Sequence, residues 1–190
     1  LFRSLRSGVN THGIGLVSNN LQSIYDSWNV GIPTVFARRQ IMKFHTLKEA
    51  ADYTRSFPRA VSCNMLLAGY KEKQAIDFEV YPNGADEIFP KDGIVTHANH
   101  FVVQPKIHAL QRTLRDARMR ELLMEKHGEI DVDYIKCCMA DHVNYPQSLC
   151  RHPPIPTQPL MMRSITVSNE IVDFEAGVVH ICAGPPCTGD

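Results

Sequence analysis

Between residues 62 and 103 the chain presents three short apolar runs in quick succession, "SCNMLLAGY", "QAIDFEVYP" and "GIVTHANHFVV". Each has the length of a strand, and "PNG" at Pro82 to Gly84 is a turn signal. Runs this closely spaced predict a meander of mainly antiparallel strands. That meander limits everything around it, because the helices elsewhere in the chain must pack on its sheet.

The helices are marked clearly. Pro33 suits the first turn of a helix through "TVFARRQIMKF". A second helix is predicted in "HTLKEAADYTRSF", where Thr46 and Glu49 form a T-x-x-E capping box. Its apolar face is Leu47, Ala50, Ala51 and Thr54, and Pro58 stops it. A third, amphipathic helix is expected from about His108 to His127, with Leu110, Leu114, Ala117 and Met124 in its buried stripe and Gly128 closing it. "DYIKCCMADH" reads as a short helix. Strands are expected in "HGIGLVSNNL", "MMRSITVSNEIVDF" and "AGVVHICAG", whereas the five prolines of "NYPQSLCRHPPIPTQP" impose a loop. The order gives an α+β fold with helix layered on sheet. At 190 residues the chain fits one domain, residues 1–190.

Within the third run, "IVTHANHFVV" sets Thr96, His97, Asn99 and His100 among apolar neighbours. Buried amides and imidazoles cost about 1–3 kcal/mol each when unpaired, so something must satisfy them. As a strand, Ile94, Thr96, Ala98 and His100 face one way, and Val95, His97, Asn99 and Phe101 the other. That splits the two histidines and argues against a metal site there. An Asn side-chain N–H is a neutral, oriented donor suited to a developing oxyanion, and satisfaction by neighbouring backbone is the structural alternative. Asn19-Asn20, at the end of a strand, offers either a backbone N–H aimed into a cleft or an Asx turn. In "SLCRHP", Cys150 beside Arg151 and His152 is a candidate thiolate, and Arg151 is favoured for a structural or substrate-clamping role. Arg112, in "QRTLRDARMR", is either a functional cation or a solvated one.

Twenty Lys and Arg balance twenty Asp and Glu, so no global field points to nucleic acid or an anionic membrane. No apolar run approaches the ~18 residues of a membrane span. "LFRSLRSGVN" is too short and too polar for a secretory signal. The six cysteines match neither paired zinc knuckles nor a compact disulfide framework, and are expected as reduced thiols in an intracellular setting.

Five motifs in order, "NTHGIGLVSNNL", "GIPTVFARRQI", "THANHF", "ADHVNYPQSLCRHP" and "AGPPCTGD", resemble a known family. It is the linear-amide hydrolase and acyltransferase family typified by fungal acyl-coenzyme A:6-aminopenicillanic acid acyltransferase, to which insect β-alanyl-amine hydrolases also belong. The resemblance runs from about Gly8 to Gly189. It implies an N-terminal-nucleophile fold, a four-layer αββα sandwich. Members cleave themselves to expose a cysteine whose own α-amino group is the base. That cysteine attacks an amide carbonyl, forms a thioester, and passes the acyl group to water or an amine.

By this resemblance Asn99 is the side-chain donor of the oxyanion hole. Asn20 lies where related bile-salt and penicillin V hydrolases supply a backbone N–H. Arg112 falls near their active-site helix arginine, and Arg151 serves substrate or loop positioning. The family's nucleophile lies upstream of the "GIGLVSNNL" strand, and none of the six cysteines matches it. The expectation is therefore the C-terminal portion of a single domain, incomplete at its N-terminus and inactive alone. Its partners would be a small N-acyl amide, acyl-coenzyme A as a donor, and the missing part of its own precursor. Neither cofactor nor metal is expected, and the compartment would be the cytoplasm, with the peroxisome as alternative. A non-catalytic binding protein of the same fold is the competing reading.

Overall fold

The computed structural model describes residues 7–108, 113–152 and 164–188. Two compact units divide the chain, Leu1–Arg112 and Thr113–Asp190.

The first unit opens with a short strand, β1 (Gly8–Val9), turned into β2 (Ile14–Asn20). Asn10 makes the turn, its Oδ1 accepting from the N–H groups of His12 at 2.9 Å and Ile14 at 3.0 Å. Gly13 there has φ +87°, a left-handed conformation that suits glycine. Helices α1 (Thr34–Ile41) and α2 (Leu47–Ser56) follow, the first starting directly after Pro33. The capping box of α2 is present: Thr46 Oγ1 accepts from Glu49 N at 3.2 Å, and the Glu49 carboxylate accepts from Thr46 N at 3.1 Å. Leu47, Ala50, Ala51 and Thr54 are its buried residues, the face expected from their spacing.

Strands β3 (Cys63–Gly69), β4 (Gln74–Tyr81) and β5 (Gly84–Ile88) complete an antiparallel five-stranded sheet in the order β1-β2-β3-β4-β5. Leu16 pairs with Leu67 and Met65 with Phe78, so one sheet face is continuous and apolar. Ile14, Leu16, Met65, Leu67, Phe78 and Val80 on that face form one core with Ala37, Ile41 and Ala50 of the helices. Burying each large side chain of this kind contributes about 1.5–3 kcal/mol.

One predicted strand is absent. "GIVTHANHFVV" is not paired into the sheet; the third strand of the meander is β5, which begins at the "PNG" turn. Asp92 (φ +54°) and Gly93 (φ +71°) make a turn in which Lys91 and Ile94 exchange two 3.0 Å hydrogen bonds. The chain then runs as an irregular loop to a 3-10 turn at Pro105–Ile107. Its burial does not alternate: Ala98, His100 and Phe101 are all buried.

The second unit carries α3 (Arg115–Glu125), α4 (Val132–Met139) and an antiparallel hairpin of β6 (Ser168–Asp173) and β7 (Val178–Ala183). Asp131 caps α4 by accepting from Tyr134 N at 2.7 Å, and Tyr134 Oη donates to Leu122 O at 2.7 Å, joining the two helices. The stripe expected on α3 is not buried. The helix starts at Arg115, Leu110 lies outside the described residues, and Leu114 and Met124 are 61% and 40% exposed. Within the unit it is tied by Arg118 on Asp141 at 2.7 Å. Among the described residues no helix is long and apolar enough to cross a membrane.

Candidate functional site

The second face of β2, β3 and β4 is built from different residues. Asn64, Asp77 and Glu79 project from it, because each adjoins an apolar residue committed to the other face, and Asn19 joins them as the register partner of Asn64. Asn64, Asp77 and Glu79 are at most 1% exposed, so each polar atom there needs a partner. Asn19 Nδ2 donates to Asn64 Oδ1 at 3.3 Å and to the His97 carbonyl at 3.1 Å. Asn64 Nδ2 in turn donates to the Asp77 carboxyl and, at 3.2 Å, to Phe78 O.

Glu79 is the anchor of the loop above. Its Oε1 meets His97 Nε2 at 2.8 Å and also accepts from Val102 N, while Oε2 accepts from Val103 N at 3.0 Å. His97 Nδ1 lies 2.8 Å from Ala98 O, and a carbonyl only accepts, so Nδ1 carries a proton. With Nε2 facing a carboxylate, the imidazolium form is favoured. Burial lowers the His97 pKa, but the Glu79 hydrogen bond and the Asp77 charge outweigh it and hold the group above its ordinary value. Burial also pushes the Asp77 carboxyl up, against the pull of His97 and Asn64. His97 is thus held above its ordinary value by its Glu79 and Asp77 neighbours, while Asp77 is itself raised by burial.

Within the polar knot of residues 96–100, His97 and Asn99 find hydrogen-bond partners inside the first unit. His97 and His100 do not stand on opposite faces, as a strand would place them; their rings stack with centroids 6.3 Å apart. Both ring nitrogens of His97 are taken up by Glu79 and the Ala98 carbonyl. The loop's own irregular path delivers Asn99 to the end of β2, where its Nδ2 donates to Asn20 O at 3.0 Å. Asn20 and Asn99, separated by 79 positions, thus meet at the rim of the polar face. Asn20 is exposed and Asn99 half-buried, so a ligand has access to both.

The arginines are placed differently. Arg112 lies outside the described residues. Arg151 belongs to the second unit, where its Nη2 donates to Gln147 Oε1 at 2.5 Å, its backbone N–H donates to Thr166 Oγ1 at 2.9 Å, and burial lowers its pKa. Cys150 is fully buried and burial pushes its thiol up, which removes the basis for a ready thiolate there. Cys63 pairs with Asn20 across the ladder, yet its side chain sits in the apolar core, where burial raises the thiol to about 11. Residues that sequence reading passed over are Asn64, Asp77 and Glu79. Their signal was available: "IDFEV" sets two carboxyls at alternate positions between Ile76, Phe78 and Val80.

The acyl-coenzyme A:6-aminopenicillanic acid acyl-transferase family matches residues 4–150. The chain belongs to that family. The matched span holds the whole first unit's site, including Asn20, Asn64, Asp77, Glu79, His97 and Asn99. Among solved structures, a cysteine-to-alanine mutant of the conjugated bile acid hydrolase from Clostridium perfringens is similar, with a TM-score of 0.65 and 12% identity over 96% of this chain and 71% of that one. The likeness gives the chain the mixed α+β fold of N-terminal-nucleophile hydrolases, as its motifs implied. No curated protein matches the sequence. The family is one of amide hydrolases and acyltransferases of that nucleophile type.

Proposed function

We propose that the protein is a thiol-dependent hydrolase or acyltransferase that cleaves linear amide C–N bonds of small N-acyl compounds. The observation that carries this reading is the meeting of Asn20 and Asn99 at 3.0 Å, held by a buried network in a member of this family. Asn99 supplies a side-chain N–H and Asn20 a backbone N–H to the oxyanion that forms when the amide carbonyl is attacked. Neutral donors suit that task, because they stabilise developing charge without titrating near neutral pH.

The nucleophile in this reading is an N-terminal cysteine that is none of the six in residues 1–190, exposed by autocleavage of a precursor. Cys63 and Cys150 are buried with raised thiol pKa values, which supports looking outside them. The cysteine's α-amino group takes the thiol proton, the thiolate attacks, and the amine leaves to give a thioester. Water then completes hydrolysis, or an acceptor amine completes transfer, with acyl-coenzyme A as an alternative acyl donor. Arg151 and Arg112 are proposed for substrate or loop positioning.

The test is expression from the full upstream coding sequence, followed by mass spectrometry with and without an N-acyl amide. Two chains, a new N-terminal cysteine and an acyl adduct on it are expected. Asn99→Ala in that protein should lower kcat by at least about 100-fold with an unchanged melting temperature. An intact chain that acquires no acyl adduct would overturn the enzyme reading in favour of a binding protein.

A further inference from the structure

We propose that His142, Cys150, His152 and Cys187, all in the second unit, form a binding site for one zinc(II) ion. No two of their ligand atoms are more than 4.8 Å apart. Cys150 Sγ lies 3.6 Å from Cys187 Sγ and 3.4 Å from His152 Nε2. His152 Nε2 lies 3.1 Å from Cys187 Sγ and 3.0 Å from His142 Nε2. A tetrahedral zinc with sulfur at 2.3 Å and nitrogen at 2.0–2.1 Å has edges of about 3.8 Å for S–S, about 3.6 Å for S–N and about 3.3 Å for N–N. The four observed edges fall short of these by a few tenths of an ångström and keep the same order, S–S longest, both S–N edges next and N–N shortest. A central ion would fit with small outward movements of the side chains.

The scaffold around the quartet is independently fixed. Asp141 O accepts from Cys150 N at 3.0 Å, and the Asp141 carboxylate is itself held by Arg118 at 2.7 Å and by Val143 N at 3.0 Å. Arg151 and Thr166 are joined by two hydrogen bonds, of 2.9 and 2.8 Å, and Gly184 N donates to Val167 O at 2.9 Å just ahead of the turn bearing Cys187. Three ligands thus come from one braced loop and the fourth from the C-terminal turn. At 3.6 Å the two sulfurs are not bonded to each other.

Four protein ligands leave no open position, so the ion is structural, fastening the turn at Cys187 to the loop at residues 142–152. Binding releases two thiol protons to solvent and leaves a neutral centre of zinc(II), two thiolates and two imidazoles. Cys150 buried and Cys187 exposed give the site a closed floor and an entry side.

Elemental analysis of the untagged full-length protein should find about one zinc per chain. Cys150→Ser and Cys187→Ser should each lower zinc content at least about tenfold, and Cys182→Ser should leave it unchanged. To separate loss of metal from loss of fold in a serine variant, cobalt(II) added to metal-stripped wild-type protein provides the second readout. Intense visible d–d bands and a thiolate-to-cobalt charge-transfer band are expected. Wild-type protein with neither zinc nor a cobalt spectrum, zinc retained in both serine variants, or a Cys150–Cys187 disulfide in non-reducing peptide maps would each overturn the assignment.

Discussion

The two faces of strands β2 to β4 are made by the same backbone and do opposite work. Met65 and Phe78 turn toward α1 and α2 into an apolar core that holds the first unit together. Their chain neighbours Asn64 and Glu79 turn the other way, into a network of amides, carboxyls and one imidazole. Dispersion and area burial are non-directional, so the first face tolerates changes of shape that keep volume. Hydrogen bonds among buried charges are directional, and losing one partner strands the other. The lesson is that stability is spread over one face, whereas the position of Asn99 is concentrated in a few atoms of the other.

The comparison breaks most visibly at Glu79. Glu79→Gln sets a donor against backbone N–H groups and leaves His97 without its carboxylate, and should cost about 3–5 kcal/mol in chemical denaturation. A smaller contrast compares adjacent residues of β3. Asn64→Leu should lose about 2–3 kcal/mol, while Met65→Leu should stay under about 1.5 kcal/mol. Equal losses at the two positions would show that the faces are not distinct.

pH sharpens the contrast further, because only the polar face carries this titration. The folded pKa of His97 lies above its ordinary 6.5. Its stabilisation is therefore full below that value and is lost as pH rises through the raised folded pKa. Melting temperatures measured from pH 6 upward should fall with this component, and His97→Gln should flatten the slope whatever its own stability. The smallest expected effect lies outside both faces. Thr46→Ala removes the α2 cap and should cost about 1 kcal/mol, with no change in the pH slope.

Much of the first face was legible in the sequence because its rules are local. The capping box at Thr46 and Glu49, the buried stripe of α2 and the stop at Pro58 each need only neighbours within a few positions. The loop at residues 94–103 has the length and the apolar flanks of a strand without being one. What decides its path is a carboxylate from β4 accepting from Val102 and Val103, a contact spanning more than twenty positions that no periodicity encodes. Asn20 and Asn99 stand out in the sequence by residue type and by motif resemblance, and their contact also depends on that loop. The α3 stripe shows the converse error, since an amphipathic pattern says which side could be buried and not whether anything covers it. The His142–Cys187 quartet was invisible for a simpler reason: three ligands are close in sequence, but the fourth lies 35 positions beyond His152, outside any compact zinc spacing.

Glu79 stands in for a missing strand, giving its two oxygens to consecutive backbone amides where a neighbouring backbone would otherwise serve. A loop tethered from beneath in this way does not depend on its outer side chains for its course. Val95, Thr96 and the half-exposed flank at Val102 and Val103 are thus open to diversification in a library, with Glu79, His97 and Asn99 held constant. The surface this loop presents can then be varied without redrawing the scaffold that supports it.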